Sequence, residues 1–153
     1  MTIMADDDRA APPSLQQIAS CVAGYDPDSL PVAQAQAFIA RLVPHMRSVR
    51  QPIIAAINGA CIGYGLTGVL FCDFVIASNT ATFSYPEVSI GAPTIVGAIR
   101  LPPRVGWANA MELLLTGKPI DVERAKEIGL VWRVVEAEEL QAEAMAWART
   151  LTR

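Results

Sequence analysis

Residues 51–78 read QPIIAAINGACIGYGLTGVLFCDFVIAS, and this stretch determines the fold. It contains two short apolar runs, over 53–57 and 74–77, which are bounded by Pro52, by Asn58-Gly59 and by Asp73. Apolar runs of this length between such residues predict buried strands. The glycine-rich segment between them predicts a helix that begins near Gly63 to Gly65 and continues to Cys72. A strand, a helix and a strand in this order predict an α/β fold with parallel pairing.

Hydrophobic spacing and capping residues predict further elements on both sides of this centre. Helices are expected over 32–49, 105–116, 122–128 and 137–151, and strands over 81–84 and 131–135. Asp121 is the expected N-cap of the third helix, and Pro44 is expected to kink or break the first. Residues 1–13 are acidic and proline-containing and are predicted to form a disordered tail. Residues 14–153 are predicted to form one domain.

Composition excludes several classes of function. The chain has 153 residues, 12 Lys and Arg, a net charge of −3 and a pI near 5.1. Because the basic residues are scattered, no stripe is available to neutralise phosphates, and a nucleic-acid partner is not expected. Cys21, Cys61 and Cys72 form no CxxC pair, which favours buried thiols in a reducing compartment such as the cytoplasm. His45 is the single histidine, so no metal site is expected.

The uncharged stretch over 53–72 has nearly the length of a membrane span. It also contains Asn58, Thr67 and four glycines, which are more typical of a strand, a turn and a short helix. A membrane partner is therefore not expected. The N-terminus carries Asp6-Asp7-Asp8 in place of the basic segment of a secretory signal.

Residues 63–68, GYGLTG, match the GxGxxG pattern of dinucleotide-binding domains. Its context argues against that function, because five residues separate the predicted strand from Gly63 and the next strand ends without an acidic residue. Glycines at a helix N-terminus also let a ligand approach unpaired backbone N–H groups. In this second interpretation the N–H of Tyr64 stabilises an oxyanion. The residues alone leave both alternatives open.

The quoted stretch resembles the centre of the enoyl-CoA hydratase/isomerase (crotonase) family. The resemblance continues through residues 81–91, 100–101, 105–106, 110–117 and 125–131, in the right order. It implies a crotonase-like α/β spiral of ββα units, with a short parallel sheet and flanking helices. It also implies an acyl-CoA thioester as substrate, no cofactor beyond the coenzyme A of that substrate, a role in fatty acid metabolism, and a homo-oligomer, trimer or hexamer.

The resemblance also implies roles for individual residues. Glu87 matches a catalytic acid or base of the hydratases. The backbone N–H groups of Tyr25 and Tyr64 match the two oxyanion-hole donors. Further substrate-binding positions are implied at Ala23, Gly24, Asp26, Gly63, Gly65, Thr67 and Pro86. Asp73 is a second candidate acid, but its position between a helix and a strand predicts a structural role.

Three departures from the family pattern limit these expectations. The second glutamate of the hydratases falls at Thr67, which puts two-glutamate addition of water in doubt and leaves a one-base proton shift open. Residues 92–98 are expected to form the turn after Gly91, one residue shorter than in many family members and with bulkier side chains where those have glycine. The chain is expected to be truncated at both ends relative to family members. A non-catalytic crotonase-like subunit is therefore the alternative function.

Overall fold

The computed structural model describes residues 2–4, 44 and 46–151. The strands are β1 (Thr2–Met4), β2 (Ile54–Ile57), β3 (Ala60–Ile62), β4 (Phe74–Ser78), β5 (Thr82–Ser84), β6 (Ile120–Asp121) and β7 (Arg133–Val135). The helices are α1 (Tyr64–Val69), α2 (Ile95–Val105), α3 (Trp107–Thr116), α4 (Val122–Glu127) and α5 (Leu140–Leu151), with a 3₁₀ helix over Pro86–Ile90. The predicted α/β class is confirmed.

The strands form two sheets, in the orders β1-β2-β4-β7 and β3-β5-β6. β2 pairs with β4 in parallel in the first sheet, and β3 pairs with β5 in parallel in the second. Each successive unit therefore contributes one strand to each sheet and then a helix: β2, β3 and α1, followed by β4, β5 and the helices after them. This is the ββα repeat that the resemblance implies.

The central strands of the first sheet, β2 and β4, are buried on both faces. Their side chains alternate between the two faces of the sheet, which divides the core into two clusters. One face packs against α5, through Ile54, Ala56, Ile76, Leu140 and Ala144. The other face contributes Ala55, Ile57, Val75 and Ala77 to the main core, where Phe83, Leu101 and Leu113 are also buried. The site described below lies at the edge of this main core, between α1 and β5.

Asp73 fixes the junction between α1 and β4. Its Oδ2 accepts a hydrogen bond from the backbone N–H of Ile53 at 2.8 Å, and its own N–H donates to the Ile53 carbonyl at 2.9 Å. These two bonds set the register in which Ile54 lies opposite Phe74. The predicted structural role of Asp73 is confirmed.

Replacement of Asp73 by Ala is expected to destabilise the fold by about 1–3 kcal/mol, because a buried backbone donor loses a charged acceptor. Urea unfolding monitored by circular dichroism measures the change. The exposed carboxyl of Glu138 provides the control, and Glu138→Ala is expected to change stability by less than about 0.5 kcal/mol. Equal stabilities of the two variants would show that the Asp73 bond contributes nothing.

The structure differs from the predicted elements in several places. Thr2–Met4, assigned to a disordered tail, forms a strand antiparallel to β2. β3, β6 and α2 were not predicted, and the helix predicted over 105–116 begins only at Trp107, after Gly106 adopts a φ of +82°. Of the helix predicted over 32–49, residues 44 and 46–49 are described; residues 44 and 46–48 are helical and Val49 is not. The remainder of both segments lies outside the described residues.

α2 forms although it contains Pro102 and Pro103, which cannot donate backbone hydrogen bonds. Both prolines lie in its last turns, and tertiary contacts hold that end. The Arg100 guanidinium donates two bonds to the Leu70 carbonyl, at 3.2 and 3.3 Å, and Arg104 donates to the Cys72 carbonyl at 3.1 Å. These arginines satisfy carbonyls that follow α1, so α1 and α2 are held together.

Candidate active site

The carboxylate of Glu87 lies against the backbone of Gly63. A Cβ atom built on Gly63 would come within 2.7 Å of Glu87 Oε1, so a side chain at this position would displace the carboxylate. The other oxygen, Oε2, is buried and finds no hydrogen-bond partner among the described residues. A buried carboxylate oxygen without a partner is costly, which marks this atom as a candidate for function.

Gly63 also forms the turn from β3 into α1. Its φ of +53° and ψ of −112° are strained for residues with a side chain, and its N–H donates to the Ser84 carbonyl at 2.9 Å. Tyr64 is the first residue of α1, and no side chain among the described residues caps this helix. The first N–H groups of a helix have no intrahelical acceptor. The geometry thus places Tyr64's backbone next to the residue that contacts Glu87.

A second contact links the same two segments one helical turn further along. Thr67 Oγ1 and the hydroxyl of Tyr85 are 3.2 Å apart, and both residues are buried, at 3% and 1% exposure. Gly97 of α2 packs on the Tyr85 ring, since a Cβ there would lie within 2.8 Å of the hydroxyl oxygen. Tyr85 therefore joins α1, the strand that leads to Glu87, and α2.

Burial keeps the thiols and the phenol near the site protonated. Burial raises the pKa of Cys61 and Cys72 from 9.0 to about 12. Burial also raises the pKa of Tyr85 above its ordinary value, against a smaller lowering effect of the Thr67 hydrogen bond. None of these three groups supplies a base at neutral pH. The predicted burial of Cys61 and Cys72 is confirmed, and Cys21 lies outside the described residues.

These raised pKa values predict that the fold becomes less stable at alkaline pH. The unfolded thiols ionise above about pH 9, whereas the folded thiols keep their protons up to about pH 12. The unfolded state therefore binds fewer protons in this range, and the free energy of unfolding falls as pH rises through it. Urea unfolding at several pH values is expected to show a shallower fall in a Cys61→Ala, Cys72→Ala variant. If the free energy of unfolding falls equally steeply with pH in both proteins, the two thiols do not cause the fall.

The described site contains only part of the predicted one. Gly63, Tyr64, Thr67 and Glu87 are brought together, and Pro86 is the first residue of the 3₁₀ helix that carries Glu87. Gly65 lies further along α1, where a Cβ would be 4.0 Å from Cys61 Sγ. Four predicted residues lie outside the described part of the chain: Ala23, Gly24, Tyr25 and Asp26.

Sequence reasoning missed Tyr85. Its position directly before Pro86-Glu87 was a usable signal, because the residue that precedes a candidate site segment is well placed to anchor that segment. Its partner Thr67 was predicted as a substrate-binding position and as the place of the missing second glutamate, without any link to Tyr85.

The structure does not support the dinucleotide alternative. β3 ends directly before Gly63, so the expected gap of five residues between strand and glycine is wrong. However, β3 and β4, the strands on either side of α1, belong to different sheets. A dinucleotide-binding unit requires both strands in one sheet and a longer helix than the six residues of α1.

The described residues show neither a cluster of metal ligands nor a helix that could span a membrane. They contain no group of three or more His, Cys, Asp or Glu side chains that could hold a metal ion. Within the same residues, every helix is too short or too polar for a membrane crossing.

Comparison with known proteins assigns the chain to a family. The family model for enoyl-CoA hydratase/isomerase matches residues 29–153, and the chain belongs to this family of enzymes. A probable enoyl-CoA hydratase from Rhizobium meliloti is 43% identical over 108 residues, which cover 70% of this chain and 42% of the relative. The chain thus spans less than half the length of this relative.

Solved structures agree with this assignment. The enoyl-CoA hydratase from Bacillus anthracis superposes with a TM-score of 0.72 and 33% identity, over 82% of this chain and 50% of that protein. A monofunctional enoyl CoA isomerase from M. smegmatis superposes with a TM-score of 0.69 and 34% identity, over 75% and 55% of the two chains. The crotonase-like fold is therefore confirmed.

Proposed function

We propose that this chain acts on acyl-CoA thioesters by chemistry of the enoyl-CoA hydratase/isomerase type, with Glu87 as the group that transfers protons. The observation that carries the proposal is the buried, unpartnered Oε2 of Glu87 beside the turn that begins α1. A carboxylate there takes a proton from the carbon next to the thioester carbonyl. The charge then moves onto the thioester oxygen as an enolate.

The start of α1 supports the second part of this reaction, the formation of the enolate. An enolate oxygen needs hydrogen-bond donors that are already in place, and such a donor is worth about 10²–10³ in rate in other enzymes. We assign the backbone N–H of Tyr64 as one donor. The second proposed donor is the N–H of Tyr25, within the sequence motif Ala23-Gly24-Tyr25-Asp26. No metal and no cofactor beyond the substrate's coenzyme A takes part in this proposal.

Exposed apolar side chains flank both halves of the site. Ile62 and Tyr64, on either side of Gly63, are 50% and 49% exposed, and Val88, next to Glu87, is 44% exposed. An apolar rim of this kind suits an acyl chain, and fatty acid metabolism is the corresponding proposed role. The reducing environment inferred from the cysteines makes the cytoplasm the proposed location.

A second apolar surface supports the proposed homo-oligomer. Ile90, Ile95 and Ile99 are 80%, 66% and 69% exposed, and the last two lie one turn apart on α2. Exposed large apolar side chains of this kind are typical of an interface. Sedimentation equilibrium tests this part of the proposal. A trimer or hexamer that Ile95→Glu dissociates supports it, and a monomer at all concentrations contradicts it.

Titration with acetoacetyl-CoA tests the proposed site directly. This ligand forms an enolate that resembles the proposed intermediate. Calorimetry is expected to show saturable binding of one ligand per chain, with affinity altered by Glu87→Gln. If a folded chain shows no binding at millimolar ligand, the enzyme proposal fails and the non-catalytic subunit takes its place.

A further inference from the structure

The C-terminal end of α1 is held by a residue of α2, Arg100. The Nε and Nη2 atoms of Arg100 donate to the Leu70 carbonyl at 3.3 and 3.2 Å. Leu70 is the C-cap residue of α1, and the last turn of α1 contains no basic residue of its own. The last carbonyls of a helix lack intrahelical donors, and a positive charge near them is favourable. Arg100 therefore supplies both the hydrogen bonds and the charge at this helix end.

The Arg100 guanidinium is held in one orientation although the residue reaches the surface. Its central carbon lies 4.1 Å from the centroid of the Phe71 ring, and Phe71 packs against the main core. A planar guanidinium can stack on a ring and donate several bonds at the same time. A lysine cannot reproduce this arrangement, because its ammonium is a point charge on a flexible stem.

The same face of α2 also contacts the segment that carries Glu87. Gly97 lies three positions before Arg100, and residues at this spacing share a helix face. Gly97 packs on the Tyr85 ring, and the Tyr85 hydroxyl is bonded to Thr67 of α1. α2 therefore contacts both the end of α1 and the residue two positions before Glu87.

α1 is so short that a contact at its end controls the position of its start. The helix has six residues, too few to be stable alone, so its place depends on tertiary contacts. From Gly63 to Leu70 it rises by about 10 Å. At its start, the Gly63 backbone lies against the Glu87 carboxylate. A shift or tilt of α1 would change that contact directly.

We infer that Arg100 is a positioning residue for proton transfer, because it holds α1 where the backbone of Gly63 meets the Glu87 carboxylate. The inference rests on the proposed function, in which Glu87 takes the α hydrogen of the thioester as a proton. In this role Arg100 acts through Leu70 and α1. It fixes the direction in which the carboxylate points.

The test compares Arg100→Gln with the unmodified 153-residue chain. Butyryl-CoA is saturated, but an enolate-forming site exchanges its α hydrogen with deuterated water, and mass spectrometry measures the rate. Rates are normalised to the folded fraction, which circular dichroism measures. Because a misplacement of about 1 Å can cost 10²-fold, kcat for exchange is expected to fall by about 10–10²-fold, with KM nearly unchanged. An Arg100→Gln variant that keeps its kcat would overturn the inference.

Arg104→Gln is the matched control. Arg104 also donates from α2 to a backbone carbonyl, that of Cys72 at 3.1 Å. This carbonyl lies beyond the end of α1, at the junction that Asp73 fixes through its own bond to Ile53. Arg104→Gln is therefore expected to keep its kcat per folded chain, even if its stability falls. Equal losses of kcat in the two variants would show a general structural role and would overturn the inference.

Arg100→Lys covers the case in which Arg100→Gln does not fold. Lysine keeps the charge but loses the paired bonds and the stacking on Phe71, so kcat is expected to fall by a smaller factor. A folded Arg100→Lys variant with the kcat of the unmodified chain would overturn the inference.

A double variant tests the proposed route through Glu87. If Arg100 acts by placing this carboxylate, Arg100→Gln is expected to reduce exchange little further in a chain that already carries Glu87→Gln. Losses that multiply in full would contradict the inference and leave the proposed function standing. If the unmodified chain exchanges no α hydrogen, the proposed function fails, and the inference fails with it.

Discussion

Replacement of Glu87 by Gln is expected to slow exchange of the α hydrogen of butyryl-CoA by about 10²–10⁴-fold, the usual contribution of a positioned acid or base. Gln has nearly the same shape as Glu but cannot take up the substrate's proton. Because the Oε2 atom of Glu87 is buried without a partner, loss of its charge is not expected to destabilise the fold. The exchange rate is measured by mass spectrometry in deuterated water, and thermal unfolding is measured on the same samples.

Glu138→Gln is the matched control, since Glu138 is an exposed carboxyl outside the site. Its exchange rate and unfolding temperature are expected to equal those of the unmodified chain. A Glu87→Gln variant that keeps most of its exchange rate would show that another group removes the proton. A variant that unfolds would instead assign Glu87 a structural role.

Local patterns were sufficient for the elements that occupy the centre of the fold. The apolar runs at 53–57 and 74–77 became β2 and β4, because short buried strands need little beyond apolar side chains and clear boundaries. Asp121 was identified as a helix cap from sequence, and its Oδ1 accepts from the Arg124 N–H at 2.8 Å. In each case the information lies within a few neighbouring residues.

The elements that were missed depend on distant contacts. α2 contains Gly97 and two prolines, which weaken a helix in isolation, and it is held by Arg100 and Arg104 through carbonyls about 30 residues earlier. β3 has three residues, too few for a period of two to be recognised, and its partner is β5. Such elements exist because of tertiary structure, so single-sequence patterns do not reveal them.

In the candidate site, too, some features follow from local sequence and others depend on contacts between distant residues. Glu87 was found through resemblance, because motif residues keep their order along the chain, whereas the glycines were found from their own pattern before a predicted helix. The approach of the Glu87 carboxylate to Gly63 could not be read from sequence, since it depends on a φ of +53° at one residue and on the path of another segment. The Thr67–Tyr85 bond likewise joins two positions 18 residues apart.

Replacement of Gly63 by Ala tests this approach, and it is expected to impair both stability and activity. The positive φ costs about 1–3 kcal/mol for a residue with a side chain. The added methyl would also lie 2.7 Å from Glu87 Oε1, so the carboxylate must move away. Because a displacement of about 1 Å can cost 10²-fold in rate, α-hydrogen exchange is expected to fall by about that factor. Urea unfolding and the butyryl-CoA assay measure the two effects.

Gly91→Ala is the matched control, because Gly91 also has a positive φ, +68°, but a Cβ there meets nothing within 4 Å. It is expected to lose stability through backbone strain while it keeps its exchange rate. When Glu87 is also replaced by Ala, Gly63→Ala is expected to lower stability only through backbone strain. The additional loss that comes from the contact with the carboxylate is expected to disappear. If Gly63→Ala exchanges as fast as Gly91→Ala, the contact with Glu87 does not position the carboxylate. The proton-transfer geometry would then depend on other residues.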